Sequence, residues 1–293
     1  MGKSPPITWP TKKEVSAMKV LTMHPALVPE GALRALLTLD FNKSFPPQVE
    51  EYLRALPDPR GFRRIVLVGQ AAAACLILPA LEMLGGLPEL ILYGMGKDAT
   101  PLGELDLAEY RHKTVRPRRA ELPRGTAYEG FTVLDGGGRG LTPVQRAELA
   151  AALGVEETLI RVFDVNMGQV NFAEPHKGMA EKILGHELTF EDLTSGRVLH
   201  LPAGSGLVAA VMATTIYGLG EAWPRCVRLN RQADGEFHLA EILDCQRMRQ
   251  FGVELGGQLD AAVPRVTLSG NIPAAFREAL AMIATAHGVE LRG

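Results

Sequence analysis

The predicted fold is decided by residues 198–219, which read Val198-Leu-His-Leu-Pro-Ala-Gly-Ser-Gly-Leu-Val-Ala-Ala-Val-Met-Ala-Thr-Thr-Ile-Tyr-Gly-Leu219. A short apolar run ends at Pro202, a loop over Gly204–Gly206 follows, and an alanine-rich helical pattern then begins. This order of strand, glycine turn and helix is typical of an α/β unit. A glycine turn lets the backbone approach a ligand, and the free N–H groups of the next helix favour an anion. We therefore predict a nucleotide or another phosphodiester here, with Ser205 as a hydrogen-bond donor.

A second glycine-rich loop follows another predicted strand. The apolar run Phe131–Leu134 leads into Asp135-Gly-Gly-Gly-Arg-Gly140. Ligands of open α/β sheets lie beyond the carboxyl ends of the strands, so both loops are expected to face one crevice. Arg139 would offer phosphate a cation that stays protonated. The predicted phosphate-binding residues are therefore Gly136, Gly137, Gly138, Arg139, Gly204, Ser205 and Gly206.

Composition limits the class of protein. The 293 residues allow two or three domains, and 46% hydrophobic with 22% charged residues are typical of a globular chain. A net charge of −2 argues against a binder of long nucleic acids but leaves room for a small oligonucleotide. Three cysteines without a CxxC pair favour a reducing cytoplasm and indicate no metal site. The longest apolar runs are too short to span a membrane, and no cofactor is predicted.

Residues 1–125 are predicted to form an N-terminal α/β domain. Strand and helix alternate in it, with strands at Met18–Met23, Leu33–Asp40, Arg64–Val68 and Glu89–Tyr93 and helices at Pro46–Leu56 and Ala71–Leu84. Tyr110–Val115 is predicted as a further strand. The proline, glycine and charge content of residues 116–125 indicates a linker that ends this domain.

Residues 126–252 are predicted to form a mostly parallel, Rossmann-like sheet domain. Thr142 as N-cap, Pro143 at the first helical position and Gln145 two positions later predict a helix that ends at Gly154. Residues 253–293 form a strand–helix–strand extension that could pack on the N-terminal domain. Its Arg265–Gly270 is similar to residues 64–69, either as a diverged internal repeat or as the commonest α/β unit written twice.

Other residues carry weaker ligand signals. Arg225 and Arg228 border a strand after Trp223, where one guanidinium could contact a phosphate and the indole a base, or the arginines could form a solvated face. His176 and His186 flank a helical stretch and could approach a ligand, or they could be surface or core residues. Ser205 lacks the GxSxG context of a hydrolase nucleophile. Catalytic residues therefore stay unassigned, with Ser205, His176 and Arg139 as the candidates.

The second domain resembles a family of small proteins associated with type III CRISPR systems, which are stand-alone CARF-like Rossmann domains. The likeness lies in 132–134, 141–145, 199–210 and 223–229, within about residues 130–250. It implies binding of cyclic oligoadenylate, with tetra-adenylate favoured, and a lower free level of this messenger. The free level of the messenger could fall through cleavage of its ring by metal-independent 2′-OH attack, or through sequestration. Because the messenger is symmetric, a homodimer with pockets meeting at a two-fold axis is expected.

The N-terminal domain resembles a ferredoxin-like CRISPR ring nuclease in residues 36–94. Where that family carries its catalytic residues, this chain has Gly85-Gly86 and Gly94-Met95, which implies binding or pairing without cutting. Two alternatives stay open. One is a mononucleotide or nucleotide-sugar metabolic enzyme on a doubly wound fold, and the other is a non-catalytic structural partner of a CRISPR complex.

Overall fold

The computed structural model describes residues 18–24, 26–28, 31–67, 69, 71–94, 100–202, 204–262, 265–267, 274–286 and 290–292. It shows an α/β protein with two five-stranded sheets. The first sheet contains β1 (Lys19–Thr22), β2 (Leu33–Leu36), β3 (Arg64–Val66), β4 (Glu89–Tyr93) and β5 (Pro101–Asp106). The second contains β6 (Phe131–Asp135), β7 (Ile160–Asp164), β8 (Val198–Leu201), β9 (Arg225–Arg231) and β10 (Phe237–Leu243).

Seven helices accompany the strands of the two sheets in the described chain. They are α1 (Phe45–Ala55), α2 (Ala71–Gly85), α3 (Pro143–Leu153), α4 (Met179–Leu184), α5 (Phe190–Thr194), α6 (Gly206–Gly220) and α7 (Cys245–Ala262). Residues 107–121 form a run of short helical turns. We refer to β1–β5 with α1, α2 and residues 107–121 as the N-terminal half, and to β6–β10 with α3–α7 as the C-terminal half.

The two halves share one topology. The strand orders are β2-β1-β3-β4-β5 and β7-β6-β8-β9-β10, and in each sheet only the last strand is antiparallel to its neighbour. Counted within each half, both orders are 2-1-3-4-5, which is a doubly wound arrangement. Gly69 lies between the third strand of the N-terminal half and its crossover helix α2, and Gly204 lies between the third strand of the C-terminal half and its crossover helix α6. The internal repetition in the described chain therefore relates the two sheets.

The halves exchange helical segments. Helices α2 and α6 pack on each other, residues 107–121 of the N-terminal half pack on α6, and α7 of the C-terminal half packs on α2. Glycines permit this close approach, since a Cβ on Gly218 would lie 2.6 Å from Val115 Cγ1 and one on Gly252 would lie 2.6 Å from the Ala80 carbonyl oxygen. One continuous apolar core consequently spans both halves.

Local signals predicted most elements, and the cap of α3 is confirmed in detail. Thr142 Oγ1 accepts from the Gln145 backbone N–H, and the Gln145 side chain accepts from the Thr142 N–H. Gly154 ends the helix at φ 68° in the left-handed region. This cap matters to the site, because α3 begins directly after the glycine loop of β6.

Two N-terminal predictions are corrected, and one strand was missed. Residues 110–115 are helical, because the Asp106 side chain accepts from the Glu109 N–H and starts a helical run there. The actual fifth strand is β5, a short and largely polar edge strand that the apolar pattern missed. The ferredoxin-like expectation is also wrong for this half, because four of its five strands run parallel. Met95 lies outside the described residues.

The tail forms strand β11 (Arg265–Thr267), helix α8 (Ala274–Ala286) and strand β12 (Glu290–Arg292). β11 and β12 pair in parallel as a separate two-stranded sheet. Residues 268–270, which belong to the segment that is similar in sequence to residues 64–69, lie outside the described part of the chain. A boundary between 252 and 253 would cut α7, whose later turns are held to the N-terminal half by the Arg60–Asp260 ion pair at 2.8 Å. No helix among the described residues is long and apolar enough to cross a membrane.

Candidate functional site

A cavity of about 760 Å³ opens at the carboxyl ends of the strands of the second sheet. Its wall includes residues after β6 and β8, the neighbouring strands at which the strand order reverses. Such a switch point is the usual ligand position in doubly wound sheets. The N-terminal half closes the other side with Phe41, Phe45, Ala71 and Ala72. The cavity therefore lies between the halves, and both predicted glycine loops reach its wall.

Two amides of the first glycine loop are hydrogen-bonded to the carboxylate of Asp135, the residue that precedes the glycines. The buried Asp135 carboxylate accepts hydrogen bonds from Gly137 N–H at 2.8 Å and Gly140 N–H at 2.6 Å. Gly136 N–H donates to the Leu201 carbonyl at 2.9 Å. Three amides that could have met a phosphate are thus already engaged. We conclude that this loop is ordered by Asp135, which corrects the prediction that the amides of Gly136 and Gly137 bind phosphate.

Gly138 does not line the cavity. It has φ +66°, and a Cβ there would lie 2.4 Å from Asn166 Nδ2. Glycine is needed at this position because both the backbone conformation and the neighbouring side chain exclude a larger residue. Asn166 donates to the Gly137 carbonyl at 3.1 Å and is part of the wall.

The second loop contributes less than predicted. Gly204 lines the cavity, but Ser205 and Gly206 do not. Ser205 is the N-cap of α6, with its Oγ 3.5 Å from the Val208 backbone nitrogen. A Cβ on Gly206 would lie 2.4 Å from the Gly69 carbonyl oxygen, so this glycine permits the two crossover turns to touch. Ser205 and Gly206 are therefore positioned to form the helix start and the contact between halves.

Two helix N-termini reach the cavity wall. Ala71 and Ala72 belong to the first turn of α2, and Gly204 precedes the first turn of α6. The start of a helix carries roughly half a positive charge. The starts of α2 and α6 therefore bring positive partial charge to this side of the cavity.

The three predicted arginines occupy different environments. Arg139 is exposed on the wall, and its guanidinium has no hydrogen bond or ion pair with the residues that the structure describes. Arg225 is exposed at the start of β9 and does not line the cavity. Arg228 lines the cavity but is only 6% exposed. Of these three, Arg139 is the cation available to a ligand.

Arg228 forms a clamp between the halves. Its Nε donates to Glu241 Oε1 at 2.7 Å, and its other nitrogens donate to the carbonyls of Phe41 at 3.0 Å and Lys43 at 3.3 Å. The guanidinium also lies 4.2 Å from the Phe45 ring centroid. Glu241 in turn accepts from the Phe45 backbone N–H at 3.0 Å, at the start of α1. The predicted phosphate contact of Arg228 would require breaking this network.

The histidine and tryptophan candidates lie outside the wall. His176 packs on the Tyr110 ring with centroids 5.2 Å apart, and its burial lowers its pKa. His186 stacks on Phe163 at 4.9 Å. Trp223 is buried, stacks on a neighbouring tyrosine and donates to a glutamate. These side chains consequently stabilise packing away from the cavity.

A fully buried histidine lies next to the wall. His200 precedes the wall residue Leu201 on β8, and its Nδ1 is 3.4 Å from Cys75 Sγ of α2. Burial lowers the pKa of His200 to about 3, with a smaller opposing effect from the negative Asp135. The ring is therefore neutral near pH 7, and its Nε2 has no hydrogen-bond partner among the described residues.

Sequence reasoning missed the contribution of the N-terminal half. Phe41 from the loop after β2 and Phe237 at the start of β10 both line the cavity, together with the polar side chains Gln145, Asn230 and Glu236. No local motif marks Phe41, Phe237, Asn230 or Glu236 as wall residues, and Gln145 was predicted only as part of a helix cap. Phe41 reaches the wall through the packing of the two halves. In the described part of the chain no group of three or more His, Cys, Asp or Glu side chains is arranged to hold a metal ion.

Comparison of the chain with models of protein families, with curated proteins and with solved structures gave no match. The function is consequently inferred from the cavity and its two helix N-termini, its exposed Arg139 and its exposed rings.

Proposed function

We propose that the protein binds a cyclic oligoadenylate in the cavity between its halves and lowers the free level of this messenger by holding it. The observation that carries this proposal is the combination in one cavity wall of the exposed Arg139, two helix N-termini and the aromatic rings of Phe41 and Phe237. Phosphodiesters match the first two features and flat bases match the third.

The repeated topology supports a ligand with internal symmetry. A cyclic oligoadenylate repeats one nucleotide around its ring, so equivalent groups arise on opposite sides. The two halves bring α2 and α6 together as equivalent crossover helices within one chain. This packing of α2 on α6 supports a variant of the proposal in which the two halves of one chain, and not two copies of it, flank the bound ring.

The charges favour one side of the cavity for phosphate. Asp135 and Glu236 bring negative charge to the wall, whereas Arg139 and the starts of α2 and α6 bring positive charge. Because Asp135 already saturates two loop amides, phosphate groups are expected at Arg139 and the helix starts. A carboxylate beside the loop would repel a phosphate placed on the loop itself.

The wall composition supports holding over cutting. Ring opening by 2′-OH attack needs a group that accepts the hydroxyl proton. The ionisable side chains among the described wall residues are Asp135, Arg139, Arg228 and Glu236. Asp135 and Arg228 are committed to internal hydrogen bonds, and Arg139 is a permanent cation. We therefore propose sequestration, with Glu236 as the one described carboxylate whose removal tests a cutting role.

The test is calorimetric titration with cyclic tetra- and hexa-adenylate, followed by chromatography of the mixture after one hour. Binding with intact ring supports the proposal, and linear products that disappear in Glu236→Gln indicate cleavage instead. Arg139→Ala is expected to weaken binding about tenfold and to reduce its salt dependence by about one phosphate contact. Arg225→Ala, an exposed arginine outside the wall, is the matched control. Unchanged affinity in Arg139→Ala would contradict the assigned phosphate position.

A second candidate is a mononucleotide or nucleotide-sugar enzyme. A volume of about 760 Å³ is ordinary for a small-molecule site, and most of the wall comes from the C-terminal half. The same titration with adenosine monophosphate, uridine diphosphate glucose and the ring messengers separates the candidates. Tighter binding of a mononucleotide than of either ring would favour this enzyme class, and absence of any nucleotide binding would favour a structural partner.

A further inference from the structure

Two exposed phenylalanines share the cavity wall. Phe41 is 46% exposed and Phe237 is 48% exposed, and both line the cavity. Among the side chains that the structure describes they are the only exposed aromatic residues. Single exposed apolar residues are common on protein surfaces. Here both rings come from different halves and meet at one cavity, which a random scatter of surface residues does not explain.

Both phenylalanines are held by their backbones. The Phe41 carbonyl accepts from Arg228 Nη1 at 3.0 Å and from Asn230 Nδ2 at 2.6 Å. The Phe237 carbonyl accepts from Gln145 Nε2 at 2.7 Å. All three donors are wall residues themselves. The main chain at each ring is therefore fixed to the cavity while the ring stays accessible to a ligand.

The Phe41 ring is supported from the protein side by a second phenylalanine. Phe41 contacts Phe45 edge to face, with centroids 5.4 Å apart and planes at 78°. Phe45 is itself buried under the Arg228 guanidinium, so it supports Phe41 from the protein side. A phenyl ring has no hydrogen-bonding group, and a flat π-surface is a favourable partner for it. Purine and pyrimidine bases provide that surface.

We propose that Phe41 and Phe237 are the base-stacking platforms of this cavity, so that its ligand carries at least one planar heteroaromatic base. This inference rests on the proposed function in placing the ligand in the cavity. It concerns the base of the ligand and does not depend on whether the ligand is a cyclic oligonucleotide. Stacking of a base on an aromatic side chain contributes about 1–3 kcal/mol. The corresponding change in affinity on losing one ring is about 5- to 150-fold.

The experiment uses the full chain and a fluorescent probe, 2-aminopurine riboside 5′-monophosphate, whose emission is quenched by stacking. Phe41→Ala and Phe237→Ala are each expected to weaken probe binding about 5- to 150-fold and to restore its emission. Phe41→Trp is expected to keep both properties. Phe41→Leu keeps apolar area without a π-face and is expected to behave as the alanine variant.

Two controls separate stacking from charge and from folding. Ribose 5-phosphate, which has no base, is expected to bind the wild type and both alanine variants equally. Val253→Ala removes an exposed apolar side chain on α7 outside the wall and is expected to leave probe binding unchanged. Urea unfolding of each variant shows whether the fold is retained, and Phe41→Trp covers the case of an unstable alanine variant.

The outcomes distinguish this inference from the proposed function. Quenching of the probe that depends on Phe41 and Phe237, without binding of cyclic oligoadenylate, supports stacking. That result contradicts the proposal that the messenger is the ligand. Messenger binding that is unchanged in Phe41→Ala and Phe237→Ala overturns stacking and leaves the messenger in place. Equal affinity of the wild type for the probe and for ribose 5-phosphate, or no binding of the probe, also overturns the inference.

Discussion

Replacement of Arg228 by methionine tests whether this arginine is a clamp between the halves or a phosphate ligand. Its guanidinium donates to Glu241 at 2.7 Å and to the carbonyls of Phe41 and Lys43, and it is 6% exposed while Glu241 is 17% exposed. Methionine keeps much of the apolar stem and removes the charge and all of these donors.

The expected loss of stability is about 3 kcal/mol. Removing one partner of a buried ion pair costs roughly 3–5 kcal/mol, because the other charge stays buried without compensation. The lower end of that range applies here, since Glu241 keeps the Ser44 hydroxyl at 2.7 Å and the Phe45 N–H at 3.0 Å as donors. The variant also removes one of the two donors to the Phe41 carbonyl and leaves Asn230 Nδ2 at 2.6 Å as the other, so the loop after β2 is expected to loosen in part.

Urea unfolding of wild type, Arg228→Met, Glu241→Gln and the double variant measures this effect. The double variant is expected to lose at least about 1 kcal/mol less than the sum of the single losses, because both changes remove the same interaction. Arg225→Met, which alters an exposed arginine of the same strand, should stay within about 0.5 kcal/mol of the wild type.

Unchanged unfolding of Arg228→Met, combined with a lower salt dependence of messenger binding, would refute the clamp. That result would restore the phosphate contact that the sequence pattern predicts for this residue.

Three further perturbations have defined signs. Gly252→Ala is expected to cost about 1–3 kcal/mol in urea unfolding, because its Cβ would lie 2.6 Å from a carbonyl of α2. Unfolded His200 binds a proton near pH 6.5, whereas the folded residue has a pKa of about 3. Wild type should therefore lose about 1.4 kcal/mol per pH unit relative to His200→Leu as pH falls from 6 to 4, and a flat difference would contradict its burial. Hydrogen bonds to Glu148 and Asp234 raise the pKa of His238, so the stability that wild type gains over His238→Asn should be present at pH 5.5 and lost by pH 9 in thermal melts.

Prediction from the sequence worked where the signal was local. The cap of α3 needs only Thr142, Pro143 and Gln145, and these interact within one turn. The glycine turns before α2 and α6 were likewise visible as apolar run, glycine and apolar helix. Prediction failed at residues 110–115, where the Asp106 cap outweighed the apparent strand pattern.

The site was predicted in part for the same reason. Gly136, Gly137, Arg139 and Gly204 line the cavity together with Arg228, because the loops after β6 and β8 leave the same edge of one sheet. Ser205 and Gly206 do not line it, since hydrogen bonding and helix contact decide their roles. The side chain of Asp135 turned back into its own loop, which sequence spacing alone does not specify.

The amino-acid sequence alone determined that this protein consists of α/β units with glycine turns at the ends of parallel strands, because turn and helix-start chemistry acts over a few neighbouring residues. Tertiary structure alone decided that two sheets of one topology exchange helices and enclose a common cavity. Arg228 meets the Phe41 carbonyl across 187 positions of the chain, and contacts of that range depend on how whole sheets pack. The presence of Phe41 and Phe237, which come from different halves, in one cavity wall follows from that packing.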